Sequence, residues 1–198
     1  MLSILYALLC IVIPCFLYQI IICKIQNNRQ KNKVIHIIWV YIFLMYLYLT
    51  LSVAGIGSIW DIGHYDRIIR LEEINLIPFQ SDGIMTYVLN IIMFLPLGFL
   101  IPLIWKQYRN SLKILLIGFS FSLSIEICQL FNRRNTDIDD LIMNTLGAVA
   151  GYFIWKLTKR LFRNINQKAI SLSRLEPVIY LALAVLGEFL LFNWRLTL

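Results

Sequence analysis

Long apolar stretches alternate with short polar connections along the whole chain. Each stretch has the roughly 17–25 apolar residues that an α-helix needs to cross a bilayer. The predicted spans are residues 2–23, 34–56, 84–105, 114–131, 141–157 and 177–194. The pattern therefore predicts an all-α integral membrane protein, a compact bundle of about six transmembrane helices.

Composition supports the same class of protein. The chain has 198 residues, of which 60% are hydrophobic and 15% are charged, against about a quarter charged in soluble domains. No linker or internal repeat divides it, so residues 1–198 are predicted to form a single membrane domain. The formal net charge is +7, but no basic face on a folded module is indicated. We therefore expect the lipid bilayer, and not nucleic acid, to be the partner.

The connections differ in charge. The first, third and fifth connections hold 13 Lys and Arg residues, whereas the second and fourth hold four. Because cytoplasmic loops of membrane proteins carry an excess of basic residues, the odd-numbered connections are predicted to be cytoplasmic. Both termini are then predicted to lie outside, an N-out/C-out arrangement, together with the acidic second and fourth connections.

Candidate chemistry is concentrated around the fourth connection. Polar side chains within apolar spans are costly, so they indicate a function or a partner. Four such side chains lie at similar predicted depths in four different spans: Asn90, Glu126, Asn144 and Glu188. Glu126, Gln129 and Arg133 have the spacing of one helix face. The candidate ligand-binding residues are Asn90, Glu126, Gln129, Arg133, Arg134, Asp137, Asp139, Asp140 and Asn144.

Two interpretations of these polar residues remain open. They could join the helices through mutual hydrogen bonds and pairing with Arg133 or Arg134, or they could line a polar pocket that opens to the outer surface. Either Asp139 or Asp140 is expected to cap the fifth helix. The aspartate spacing matches no defined calcium loop, so neither a metal site nor a cofactor is predicted. If the chain catalyses a reaction, Glu126 and Asp140 are the best catalytic candidates.

Two further features carry structural predictions. Gly147 and Gly151 form a GxxxG pattern, which lets another helix approach closely. That helix could belong to the same chain or, in an oligomer, to a second copy. The two histidines, His36 and His64, are predicted to be isolated.

Four motifs occur in a fixed order along the chain. They are Asn75-Leu-Ile-Pro-Phe79, Asn90-Ile-Ile-Met-Phe-Leu-Pro96-Leu-Gly98-Phe99, Glu126-Ile-Cys-Gln129-Leu-Phe, and Asp137-Ile-Asp-Asp140-Leu-Ile-Met-Asn144-Thr-Leu-Gly147-Ala-Val-Ala-Gly151. In this order and spacing the chain resembles the VanZ-like family. The resemblance covers residues 41–157, which leaves 1–33 and 158–198 as accessory first and last helices with basic cytoplasmic loops.

The resemblance implies a location and a phenotype. The location is the bacterial cytoplasmic membrane, with the motif loops on the extracytoplasmic side. The phenotype is resistance to teicoplanin, a lipoglycopeptide that binds cell-wall precursor at the outer face. The leading hypothesis is a cell-envelope protein whose outer-leaflet polar pocket binds a lipid-linked wall precursor, a phospholipid head group or the acylated glycopeptide.

Two other classes of function remain as alternatives. One is an intramembrane hydrolase or transferase that acts on a lipid-linked envelope substrate. The other is a small transporter with Pro96 and Pro102 as hinges in the third span. The inner halves of the spans have few polar residues, which argues against a transport path.

Overall fold

The computed structural model describes residues 2–25, 33–62, 74–79, 83–132, 136–161 and 172–196. These residues form six α-helices and one pair of short strands. The elements in chain order are α1 (Leu2–Ile25), α2 (Lys33–Ala54), β1 (Ile74–Asn75), α3 (Ile84–Ile104), α4 (Ser111–Gln129), β2 (Thr136–Asp137), α5 (Ile138–Leu161) and α6 (Glu176–Leu191).

The six helices coincide with the six predicted spans to within a few residues, which confirms the all-helical prediction. Four of them, α1 to α4, are long and apolar enough to cross a membrane. Large apolar side chains on their outer faces, such as Leu49 and Ile92, are more than half exposed, as lipid contact requires. Helix α6 has 16 residues, and α5 carries charged residues in its first and last turns. Six complete spans, and the orientation of the bundle, therefore remain predictions.

Small residues bring α3 and α5 into close contact. A Cβ atom added at Gly147 would collide with the carbonyl oxygen of Ile91, and one at Gly151 with that of Leu95. A Cβ at Gly98 would in turn meet the backbone of Ala148. The GxxxG face of α5 is thus packed against α3 of the same chain. Without side chains between them, the two backbones gain dispersion contacts, which stabilise helix pairs in lipid.

Helix α1 packs on α6, where a Cβ at Gly187 would meet the carbonyl oxygen of Cys10. The centre of the bundle is filled by aromatic side chains. Trp105 and Phe43 are fully buried, and their ring centroids lie 5.2 Å apart in an edge-to-face arrangement. Tyr180 of α6 joins them at 6.4 Å from Trp105. The core therefore links α2, α3 and α6.

The bundle has two chemically different ends. Among the described residues, the acidic end holds both strands, the ends of α2 and α4 and the starts of α3 and α5, and Trp194 Nε1 beyond α6 donates to Asp61 Oδ1 there at 2.9 Å. The basic end holds the α3–α4 connection and the starts of α2 and α6, where Gln107 Nε2 donates to the carbonyl oxygen of Ser173 at 2.8 Å.

One histidine prediction is wrong. His36 is not isolated, because its Nε2 lies 2.7 Å from Oε1 of Glu176 at the basic end. Both side chains are almost fully buried, at 2% and 0% exposure, and Leu172 N donates to the other carboxyl oxygen at 2.8 Å. The pair joins the start of α2 to the start of α6. The 140 residues between them hide this pairing from any local sequence pattern. His64 lies outside the described residues.

Candidate functional site at the acidic end

The fourth connection returns to the bundle through a parallel strand pair. Strand β1 pairs with β2, so that Ile74 lies opposite Thr136 and Asn75 opposite Asp137. Asn75 Nδ2 also donates to Asp137 Oδ2 at 3.3 Å. The backbone of residues 74–75 is thus hydrogen-bonded to another part of the protein, as an extended segment near lipid requires.

Asp137, rather than Asp139 or Asp140, caps α5. The helix begins at Ile138, and Oδ1 of Asp137 accepts a hydrogen bond from the backbone N–H of Asp139 at 2.9 Å. A carboxylate at this position satisfies an N–H that has no partner inside the helix and complements the positive end of the helix dipole. The capping prediction was therefore wrong by two to three residues, since α5 begins earlier than the apolar pattern indicates.

Asp139 holds the segment that follows β1. Its two carboxylate oxygens lie 2.8 Å and 2.9 Å from the backbone N of Phe79, which donates to them. Tyr87 Oη of α3 donates to Oδ2 at 2.8 Å. Asp139 is fully buried, and Phe79 has a φ of 64°, a left-handed conformation that a non-glycine residue adopts at some cost. One carboxylate therefore joins α5, α3 and residues 74–79.

Asp140 pairs with a second predicted residue. Asn90 Nδ2 of α3 donates a short hydrogen bond to Oδ1 of Asp140, and both side chains are half-buried. Tyr87 and Asn90 are separated by three positions on α3, so they contact neighbouring aspartates from one helix face. That spacing is the signal by which Tyr87 could have been found in the sequence.

Glu126 is buried at 4% exposure and points toward the start of β2 and α5. Its Oε2 accepts a hydrogen bond from the backbone N of Asp137 at 3.2 Å. Thr136 Oγ1 donates to the Glu126 backbone carbonyl at 3.4 Å. Glu126 thus faces the protein interior and fixes the return of the chain from α4 to α5.

Gln129 extends the network to α2. Its Nε2 donates to the carbonyl oxygen of Ala54 at 2.9 Å, and Asn132 Nδ2 donates to that of Gly55 at 2.8 Å. These carbonyls belong to the C-terminal end of α2, where helical partners are missing. Gly55 has a φ of 61°, the left-handed conformation common just after a helix. The carboxamides of the fourth connection therefore complete the end of α2.

Asn144 lies one helical turn deeper than the aspartates. Its Nδ2 donates to Ser122 Oγ of α4 at 3.0 Å, four residues before Glu126. Asn144 Oδ1 and Gln129 Oε1 are buried and have no hydrogen-bond partner among the described residues. Two acceptors on different helices thus remain available to a donor from water or from a ligand.

The predicted residues that the structure describes fall into four groups. Asn90 and Asp140 form one link and Glu126 with Asp137 and Asp139 a second. Asn144 bonds Ser122, and Gln129 bonds the Ala54 carbonyl. Asn90 and Asn144 bond to groups other than Glu126.

Two predicted residues, Arg133 and Arg134, lie outside the described part of the chain. Glu188 of α6 is buried, and its Oε2 has no hydrogen-bond partner within the described ranges. In the same ranges no three His, Cys, Asp or Glu side chains are placed to share a metal ion.

An apolar rim borders the polar network. Leu76, Ile77 and Phe79 are 69%, 57% and 66% exposed, although their backbone is held by Asn75 and Asp139. At the start of α3, Ile84 and Met85 are 80% and 71% exposed. Exposed apolar groups of this size beside a buried polar network give the acidic end an amphiphilic surface.

Comparison with known proteins agrees with the resemblance seen in the motifs. The family model described as VanZ/LLP1 matches residues 3–162. Protein VanZ from Enterococcus faecium is 29% identical over 126 residues, which cover 63% of this chain and 73% of that protein. No solved structure matches. The matched region includes α1 to α5 and all the motif residues of the acidic end, and we conclude that this chain belongs to the VanZ/LLP1 family.

Proposed function

We infer that this multi-pass membrane protein contributes to teicoplanin-type glycopeptide resistance by binding an amphiphile at its acidic end. Family membership and the similarity to Protein VanZ support the resistance role. The acidic end faces the outside of the cytoplasmic membrane in this proposal, as the distribution of basic residues predicts. The ligand is a lipid-linked wall precursor or the acylated glycopeptide, both of which combine a polar head with a hydrocarbon chain.

One observation carries the proposal. Asp139 holds the exposed apolar residues 76–79 directly beside a buried network of carboxyl and amide groups. A polar head group would meet the network, while its hydrocarbon chain would lie on Leu76, Ile77 and Phe79. A purely structural joint between helices has no need of an exposed apolar rim held in place by a buried carboxylate.

The polar groups have distinct roles in this proposal. Asn144 Oδ1 and Gln129 Oε1 accept hydrogen bonds from amide or hydroxyl groups of the ligand, because both atoms are buried without a protein donor among the described residues. Glu126, Asp137 and Asp139 keep the connection in place. Arg133 or Arg134 supplies the cation for a phosphate or carboxylate of the ligand.

The proposal is tested by teicoplanin susceptibility in a bacterial host without its own copy of the gene. Glu126→Gln and Asp140→Asn preserve side-chain size but remove charge, and each is expected to return susceptibility to the empty-vector level. Immunoblots of isolated membranes must show wild-type amounts of each variant. Full resistance with either variant would contradict the proposal.

Glu188→Gln provides a matched control. Glu188 is a buried carboxylate like Glu126, with 7% against 4% exposure, but it lies on α6. The control separates the general effect of neutralising a buried acid from loss of the acidic-end network.

Replacing Leu76 and Phe79 together by Ser should weaken resistance to acylated glycopeptides more than to glycopeptides without an acyl chain. An equal effect on both would exclude the role of the apolar rim.

A further inference from the structure

Two adjoining cavities lie beside α4 and α6. The first is an apolar groove with a volume of about 390 Å³. Its walls include Leu116, Ser120 and Ser124 of α4 and Val178, Ala182 and Leu186 of α6. Ser124 Oγ donates within its own helix, to the carbonyl oxygen of Phe121 at 2.7 Å. Its hydroxyl therefore does not need a hydrogen-bond partner inside the groove. The groove is therefore suited to hydrocarbon.

The second cavity, of about 550 Å³, lies at the basic end. It shares the wall residues Leu116 and Ile117 with the groove, so the two cavities adjoin. Lys113 and Arg174 line it together with Gln107 and Tyr108. Positive charge therefore lies next to the basic-end side of the apolar groove.

The local structure holds this lining in position. Tyr108 Oη donates to the carbonyl oxygen of Arg174 at 2.8 Å, and Gln107 Nε2 donates to the same oxygen at 3.2 Å. Lys113 Nζ donates to the Gln107 carbonyl at 2.8 Å and lies 5.7 Å from the centroid of the Tyr108 ring. Helices α4 and α6 also both begin at this end, so the positive ends of their dipoles add to the attraction for an anion.

The dimensions match one leaflet of a bilayer. From Lys113 to Ser124, α4 advances eleven residues, or about 17 Å at 1.5 Å per residue. One leaflet of a typical hydrocarbon core is about 15 Å thick. A chain that enters beside Lys113 and Arg174 and follows the groove would therefore reach the bilayer centre.

We propose that the α4–α6 groove binds an anionic phospholipid of the surrounding bilayer, with its phosphate between Lys113 and Arg174 and one acyl chain along Ser120 and Ser124. The basic lining selects the head group by charge, and the apolar groove holds the acyl chain by dispersion contacts. The head-group part of this site lies at the opposite end from the acidic network, and the Ser124 hydroxyl bonds within its own helix. The proposal is therefore tested separately from the resistance function.

The test is native mass spectrometry of the full-length protein in detergent, titrated with phosphatidylglycerol. Two variants separate the two parts of the site: Lys113→Ala with Arg174→Ala for the head group, and Ser120→Phe for the groove. Each is expected to weaken phosphatidylglycerol binding about tenfold. The first variant removes the charge-assisted contacts to the phosphate, and the second fills the groove that holds the acyl chain. Phosphatidylcholine should bind the wild-type protein correspondingly less well.

Matched controls exclude general effects on charge and surface. Lys106→Ala with Lys156→Ala removes two exposed basic residues near the same end that do not line the cavity. Ser52→Phe places the same ring on an exposed position of α2. Both controls should bind phosphatidylglycerol like wild type. Equal binding of the two lipids, unchanged binding by Ser120→Phe, or equal losses in the controls would each overturn the proposal.

Discussion

The two ends of the bundle use charge in opposite ways. At the acidic end, Asp137, Asp139 and Glu126 are turned inward and accept hydrogen bonds from backbone and side-chain donors of separate segments. At the basic end, the exposed Lys159 lies over an aromatic ring, with its Nζ 5.3 Å from the ring centroid of Trp155. The inward carboxylates fix the positions of loops, whereas an exposed cation such as Lys159 meets water and lipid head groups.

Among the described residues of the basic end, the buried pair of His36 and Glu176 departs from this pattern. It behaves like the acidic end, since it joins two helix starts by a short contact between distant residues. Buried polar pairs therefore hold separate segments of this protein together, whichever sign of charge they carry. Charge on the surface sets orientation and lipid contact instead.

The largest expected effect on stability comes from breaking the His36–Glu176 pair. His36→Leu leaves the Glu176 carboxylate in the interior without its side-chain partner, and we expect a loss of about 3–5 kcal/mol in the free energy of unfolding. The measurement is denaturant-induced unfolding in detergent micelles, followed by circular dichroism. The double variant His36→Leu/Glu176→Leu should recover most of the loss, because it removes both polar groups. A double variant as unstable as the single one would show that the unpaired Glu176 carboxylate is not the cause of the loss.

An intermediate effect is expected at the acidic end. Asp139→Ala removes the acceptor for Phe79 N and Tyr87 Oη, and hydrogen bonds to a charged group contribute about 1.5–3 kcal/mol. We expect residues 74–79 to detach from the bundle and, with the acidic end facing outward, to become sensitive to protease added to intact right-side-out vesicles. Tyr87→Phe removes one of the donors and should cause a smaller loss. Equal protease resistance in wild type and Asp139→Ala would contradict the proposed anchoring.

The smallest expected effect is that of an outward cation. Lys159→Ala removes a cation–π contact with Trp155 at an exposed position, which contributes about 0.5–1 kcal/mol. Lys156→Ala is the control, because Lys156 is also exposed on the same helix. Both variants are compared by the same unfolding measurement as His36→Leu. A loss for Lys159→Ala as large as that for His36→Leu would contradict the division between buried and surface charge.

Some features of this protein were readable from the residues alone. Hydrocarbon excludes unpaired backbone groups, so long apolar runs predict helices regardless of tertiary context, and all six helices lie where they were predicted. The motif order correctly indicated the family. The close helix packing at Gly147 and Gly151 could also be predicted from the sequence, because it depends on the absence of a side chain at these residues.

The tertiary structure alone decided which polar groups meet. Asp139 bonds Phe79, Gln129 bonds Ala54 and His36 pairs with Glu176, across 60, 75 and 140 residues of sequence. A helix that is apolar on nearly all sides carries no periodic pattern that fixes its rotation about its own axis. The rotation and register of such helices are set by side-chain packing with their neighbours, and small shifts in either change the partner of every polar group.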